Sequence, residues 1–208
     1  MPVGSKPVLE LTLLWLKKYG ITDIILATGY LEELIRFYFK DGEALGVQIS
    51  YSREDQPLGT AGPLDLVREH LKQTFLVVMA DVITDLNLDD LYRFHSHHRN
   101  HITVALSSRQ ETIDYGIVHL KEDGLFEEWQ EKPALAYLVS AGIYLFEPFC
   151  LQFIPPRQKI TIPELIQVAA RNQGTVRGFK HEGYWLDIGR PDDYARACRD
   201  FETGKFIL

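Results

Sequence analysis

Four short stretches of this sequence carry residue types that could do chemistry. In Gln56-Pro57-Leu58-Gly59-Thr60-Ala61-Gly62, two glycines and a hydroxyl stand between an extended segment and the start of a helix. Glycine lacks the β-carbon that holds a flat or anionic ligand off the backbone, and the free amides of a helix N-terminus favour negative charge. The same pattern also serves as plain connection between elements. Asp81 follows the apolar run Phe75-Leu76-Val77-Val78-Met79. A carboxylate there either coordinates a hard cation such as Mg²⁺, which takes one or two carboxylates plus substrate phosphates, or caps a loop. Glu131-Lys132-Pro133 sets an acid beside a base where proline fixes the direction of the chain, as a ligand-binding pair or a surface ion pair. Asp187 lies inside Tyr184-Trp185-Leu186-Asp187-Ile188, directly before Gly189. An acid in such an apolar run normally has a partner or a cation, because unpaired burial is costly.

The elements that must hold these residues alternate. Pro7 opens a helix with the apolar face Leu9, Leu13 and Leu16, stopped by Gly20. Residues 23–28 read as a strand buried on both faces, 31–39 as a helix, 47–51 as a strand, 63–71 as a helix and 75–79 as another buried strand. Parallel strands joined by crossover helices imply a doubly wound α/β sheet, with ligands beyond the carboxyl ends of the strands, where Asp81 sits. Antiparallel pairing enters in the second half. Residues 102–106, 116–120, 125–130 and 137–146 read as strands, with Asp123-Gly124 turning a hairpin, and 162–170 and 191–202 as helices.

Composition narrows the function. A net charge of −7 argues against a nucleic-acid partner, which needs a basic face, and leaves room for a local basic pocket. No apolar run approaches a membrane span and the first residues show no leader, so the expectation is an untargeted cytoplasmic protein with no membrane partner. Cys150 and Cys198 read as reduced thiols. His97 and His101, at i, i+4 beside His95 and His98, suggest either a metal pair or a solvated helix end. Trp15, Trp129, Trp185 and the run Phe37-Tyr38-Phe39 read as packing residues.

The motifs together resemble one family. Gly4-x-Lys6-Pro7-x-Leu9-Glu10, residues 57–62, Asp81, Tyr115-Gly116, Glu131-Lys132-Pro133, Ala141-Gly142-Ile143-Tyr144 and Trp185-Leu186-Asp187-Ile188-Gly189 are similar, in order and spacing, to the sugar-1-phosphate nucleotidyltransferases. The resemblance implies one nucleotide-diphospho-sugar transferase-like domain over residues 1–208, α/β and Rossmann-like with a doubly wound mixed sheet. By the same resemblance Asp81 and Asp187 hold Mg²⁺ and Lys132 binds the sugar phosphate, these three forming the catalytic set. Glu131, Gly116 and Gly142 line the sugar, and Gln56, Leu58, Gly59 and Thr60 meet the nucleotide. The ligands implied are a nucleoside triphosphate or nucleotide sugar and a sugar 1-phosphate. Residues 57–62 resemble the guanylyltransferases for mannose-type sugar phosphates more than the thymidylyltransferases.

The chain departs from that family at two places. Ala80 stands where the family has glycine before the metal-binding acid. In the family a buried strand, a Gly-Gly-x-Gly-Thr-Arg loop that cradles the triphosphate, and a Lys-Pro precede the segment that Met1-Pro2-Val3 matches. The expected fold therefore lacks the first strand and its glycine-rich loop, leaving two strands short of a ladder partner unless the sheet closes up or another chain supplies the strand. Two functions follow from these features. One is nucleotidyl transfer from a nucleoside triphosphate to a sugar 1-phosphate, with activity resting on that loop. The other is a non-catalytic nucleotide-sugar-binding or regulatory subunit, as a homo-oligomer or paired with a full-length homologue.

Overall fold

The computed structural model describes residues 2–29 and 31–205, so Met1 of the expected opening segment lies outside the described residues. A short antiparallel pair, β1 (Pro2–Val3) and β2 (Lys6–Pro7), leads into α1 (Val8–Lys18), which starts behind Pro7 and closes on Tyr19 and Gly20. Then come β3 (Asp23–Thr28), α2 (Glu32–Phe39), β4 (Gln48–Arg53), the single turn α3 (Pro63–Leu66), β5 (Phe75–Val78) and β6 (Val82–Thr84). The second half runs α4 (Leu88–His97), β7 (Ile102–Thr112), the hairpin β8 (Ile117–Leu120) and β9 (Phe126–Gln130), and β10 (Ala134–Phe146). It ends with α5 (Ile162–Arg171), β11 (Val176–His181), β12 (Trp185–Asp187) and α6 (Pro191–Glu202). Local chemistry sets several helix starts. Asn87 accepts the amides of Asp89 and Asp90 to begin α4, and Thr161 with Glu164 forms a reciprocal capping box on α5.

The central sheet has the order β11-β7-β10-β5, with β11 parallel to β7 and β10 antiparallel to both its neighbours. Alternation along β10 builds two cores. Ile143 and Leu145 join Leu13 and Leu16 of α1 and Leu88 and Leu91 of α4, while Tyr144 and Phe146 join Ile162, Leu165 and Ala169 of α5. Helices thus cover both faces of a mixed sheet, the doubly wound arrangement expected from the sequence. A third cluster, Val8 and Leu11 of α1, Ile83 of β6, Leu186 of β12 and Ala197 of α6, clamps the pair β6–β12. Each such side chain contributes about 1.5–3 kcal/mol by leaving water. Cys150 is buried in the second core, which pushes its thiol up to about 12, so it stays protonated and unreactive.

Several expectations change. The strands at 102–106 and 137–146 extend to Thr112 and begin at Ala134, forming a long ribbon that projects beyond the core. The helix expected at 63–71 stops at Leu66, because Arg68 reaches back to Asp65 and across to the Ile154 carbonyl and draws the chain into i→i+3 turns. Only Ile24 and Thr28 of β3 are buried, and all of β5 is half-buried, so neither is covered on both faces. The reason lies in the pairing: β3 bonds only to β4 and β5 only to β10, and the two ladders do not join among the described residues. Of the aromatic run, Phe39 is buried but Phe37 is 82% exposed and Tyr38 lies outside the core. Trp15 packs inside with its Nε1 donating to the Leu86 carbonyl (3.1 Å), whereas Trp129 stands exposed on the hairpin.

The histidines are structural. His95 is buried, with Nδ1 2.8 Å from the Thr103 hydroxyl and Nε2 3.1 Å from Glu147, and His101 Nδ1 accepts the Thr175 amide (3.0 Å). His97 meets His98 ring to ring, and no group of three or more metal-ligating side chains occurs among the described residues.

Candidate functional site

Asp81 and Asp187 are brought together by backbone pairing. Residues Val82, Ile83 and Thr84 of β6 lie opposite Asp187, Leu186 and Trp185 of β12, and the Ile188 amide donates to the Asp81 carbonyl (3.0 Å). Asp187 therefore faces the residue after Asp81 across a strand spacing of about 5 Å. Leu186 turns inward and is fully buried, so the alternation of a strand turns Trp185 and Asp187 to the opposite, accessible face. Both acids open to solvent on one side. Desolvation of its inner side pushes the Asp81 carboxyl above the usual range, and the charge of Asp187 adds to the shift. Asp187 Oδ1 accepts the Gly189 amide (2.9 Å), a local turn that fixes one of its oxygens.

A bulge in β10 ties both acids to one scaffold. Ser140 pairs with Leu106 but Tyr144 with Val104, so β10 carries two extra residues between those points, and Gly142 adopts φ +72° there. The Gly142 carbonyl accepts the Met79 amide (2.8 Å), two residues before Asp81. The Ala141 carbonyl accepts Trp185 Nε1 (2.8 Å), two residues before Asp187. One irregular turn of backbone thus holds the segment leading to each carboxylate. The sequence reading placed Gly142 at the site but missed the role of Trp185; its signal was the alternation Trp185, Leu186, Asp187.

The glycine run serves the protein first. The amides of Ala61 and Gly62 both donate to the Ile160 carbonyl (3.0 and 3.2 Å), Ile160 donates back to Leu58, and the Thr60 hydroxyl accepts the Ile162 amide at the start of α5 (2.8 Å). A β-carbon on Gly62 would lie 2.8 Å from the Gln158 carbonyl, and one on Gly59 2.6 Å from that of Ile160. These glycines are therefore required for the loop to dock on residues 158–162, whatever else it touches. Leu58 is buried, its amide held by Glu54 (2.9 Å), while Gln56 and Thr60 are exposed beside it.

Glu131 and Lys132 are not paired with each other. Glu131 accepts Trp129 Nε1 (2.9 Å), and the ring of Trp129 covers Gly116, where a β-carbon would come within 2.6 Å of it. Lys132 is exposed, has no salt-bridge partner among the described residues, and sits at φ +43°, a backbone state rare outside glycine. Pro133 follows, its carbonyl accepting the Ile113 amide (3.0 Å). The hairpin thus presents an unneutralised cation on a strained turn. Among the described residues no hydrogen bond or ion pair joins Lys132 to Asp81 or Asp187; the structure brings the segments of the acids together and leaves the lysine on the projecting ribbon.

The donor set fits a hard divalent cation. Two adjacent carboxylates supply oxygen ligands only, and the charge of Asp187, which adds to the cost of ionising Asp81, would be offset by a cation between them. Two protein ligands leave positions for water and phosphate oxygens, as Mg²⁺ prefers.

Comparison with known proteins shows the family and the fold. The sequence model described as Nucleotidyl transferase matches residues 1–204. The chain is 36% identical over 197 residues to mannose-1-phosphate guanyltransferase beta-B of Xenopus laevis, covering 91% of this chain and 54% of that protein. It is 35% identical over 199 residues to mannose-1-phosphate guanyltransferase of Schizosaccharomyces pombe, covering 92% and 54% respectively. The chain thus spans about half the length of the curated relatives it matches. Its fold is similar to that of HddC from Yersinia pseudotuberculosis complexed with GMP-PN, with a TM-score of 0.75 at 20% identity, over 97% of this chain and 88% of that one.

Proposed function

We propose, from the premise that this chain belongs to the Nucleotidyl transferase family, that it transfers a nucleotidyl group from a nucleoside triphosphate to a sugar 1-phosphate. The relatives at 35–36% identity point to GTP and mannose 1-phosphate as the pair. One observation carries the reading: two carboxylates from separate segments converge across β6 and β12, on a scaffold shared with the Gly142 bulge.

In the reaction a phosphate oxygen of the sugar 1-phosphate bonds to the α-phosphorus. The bond from that phosphorus to the bridging oxygen breaks, and pyrophosphate leaves with the electron pair. No side chain has to form a covalent intermediate, so the protein's work is positioning and charge neutralisation. Asp81 and Asp187 hold Mg²⁺, which supplies positive charge against the phosphate oxygens when bound. Lys132 binds the sugar phosphate, Glu131 receives sugar hydroxyls, and the backbone at Gly116 and Gly142 lies along the sugar. Gln56, Leu58, Gly59 and Thr60 meet the base on the outer side of the docked loop. Residues 1–208 act as one nucleotidyltransferase-like domain, in the cytoplasm. Both cysteines are free thiols, as a reducing compartment keeps them; no helix among the described residues is long and apolar enough to cross a membrane.

Pyrophosphate release across the four nucleoside triphosphates and a panel of sugar 1-phosphates, with Mg²⁺, tests the proposal. Turnover highest with GTP and mannose 1-phosphate is expected. Absence of release from every pair overturns the transfer reading, and nucleotide-sugar binding without release would leave the non-catalytic role.

A further inference from the structure

Arg109 is half-buried, with its guanidinium against an aromatic ring. It stands on β7 opposite Tyr137 of β10, and its Cζ lies 4.8 Å from the centre of the Trp185 ring. Among the described residues its guanidinium forms no salt bridge and donates no hydrogen bond. Glu111, two residues along the same strand, lies against Tyr137, and the charges of Arg109 and Arg190 both reach that same ring. Contact with the indole removes water from one face of the guanidinium, while its N–H fork keeps its full donor capacity in the plane. A guanidinium stacked this way can take an anion in its plane without giving up the ring contact.

The position of that fork is informative. Trp185 and Asp187 share one face of β12, two residues and about 7 Å apart. The indole that carries Arg109 is the one that holds the Ala141 carbonyl of the bulge. Arg109 therefore rests on the side chain two residues before Asp187 in β12, on the ribbon whose hairpin end carries Lys132. The chain has a net charge of −7, so an anion approaching two carboxylates needs local positive charge that the protein as a whole does not give.

We infer that Arg109, stacked on Trp185, is an anion-binding residue of this site, taking a substrate phosphate group through its planar fork. The identity of the anion rests on the proposed transfer reading; the vacant fork does not. The phosphate belongs either to the sugar 1-phosphate or to the nucleotide, and the two share the chemistry that a guanidinium recognises in bidentate fashion.

Calorimetric titration of the whole chain, in Mg²⁺ buffer, with mannose 1-phosphate, GTP, inorganic pyrophosphate and mannose, each alone, tests this in wild type, Arg109→Ala and Arg109→Lys. Arg109→Ala is expected to weaken the phosphate-bearing ligands by about 10- to 100-fold, the size of a lost charge-assisted contact, with mannose unchanged. Arg109→Lys should recover part of the loss, because it restores charge without the fork. The ligand weakened more, mannose 1-phosphate or GTP, names the source of the phosphate. Unchanged affinities in Arg109→Ala overturn the inference, as does equal weakening of mannose, or a wild type that binds none of the phosphate compounds. Binding of pyrophosphate that depends on Arg109 would uphold it even where no pair of substrates turns over, so the inference and the transfer reading fail separately.

Discussion

Asp81→Asn and Asp187→Asn should each cut pyrophosphate release by about 10²- to 10³-fold while leaving the chain folded, the range seen when one preorganised electrostatic group is removed from a reacting centre. The amide keeps the shape of the side chain and loses its charge, so the deficit falls on holding the cation and phosphates and not on packing. The two variants differ in stability. Asp81 is desolvated on its inner side and repelled by Asp187, so the ionised pair works against the fold. Replacing Asp81 by asparagine removes both penalties, and its melting temperature should equal or exceed that of the wild type, the trade of stability for function expected of an active site. Asp187→Asn relieves only the repulsion and also weakens the acceptor for the Gly189 amide, so little net change is expected. Steady-state kinetics beside thermal melts separates the effects. A variant that loses activity only because it unfolds would contradict the assignment.

Gly142→Ala should damage the fold and the site together. At φ +72° an L-residue costs about 1–2 kcal/mol. The new methyl would also meet Val82 Cγ2 at 3.0 Å and Met79 Cβ and Cγ at 3.2 Å. Val82 is opposite Asp187 in the β6–β12 register, and Met79 is two residues before Asp81, so relief of the crowding moves both carboxylates. The expected result is a loss of about 2–3 kcal/mol in urea unfolding and a fall in turnover of about 10²-fold, the cost of misplacing reacting groups by an ångström. Gly124→Ala is the matched control. Gly124 has φ +85° at the tip of the β8–β9 hairpin with nothing within 4 Å, so it should pay the backbone cost and leave turnover unchanged.

Much of this was legible in the sequence. The helices read from 162 and from 191 start there, α1 starts one residue after Pro7, and the unbroken apolar run before Asp81 forms β5. The acids were paired through the motif resemblance, since each taken alone left a loop cap or another partner open; the β6–β12 ladder brings their two segments together. Features that depend on distant partners were not legible. The run at 56–62 read either as a ligand loop or as plain connection, and local sequence could not show that its glycines meet the carbonyls of Gln158 and Ile160, about a hundred residues away. β12 is only three residues long, too short for periodicity to mark, and it exists because β6 lies beside it. Phe37 and Trp129 were taken as packing residues since aromatic side chains usually are, and local sequence says nothing of which face a neighbour covers. Arg109 carried no motif at all; only its seat on Trp185 makes it notable.

The most direct test of the central claim, that Asp81 and Asp187 form one cation site for phosphate chemistry, is to titrate Mn²⁺ into the protein as a spectroscopic substitute for Mg²⁺ and follow the free-ion EPR signal with and without GTP. The account predicts weak binding to the protein alone, marked tightening when nucleotide is present, and loss of that tightening in both Asp81→Asn and Asp187→Asn. Tight binding without nucleotide, or tightening that survives in either variant, would contradict it.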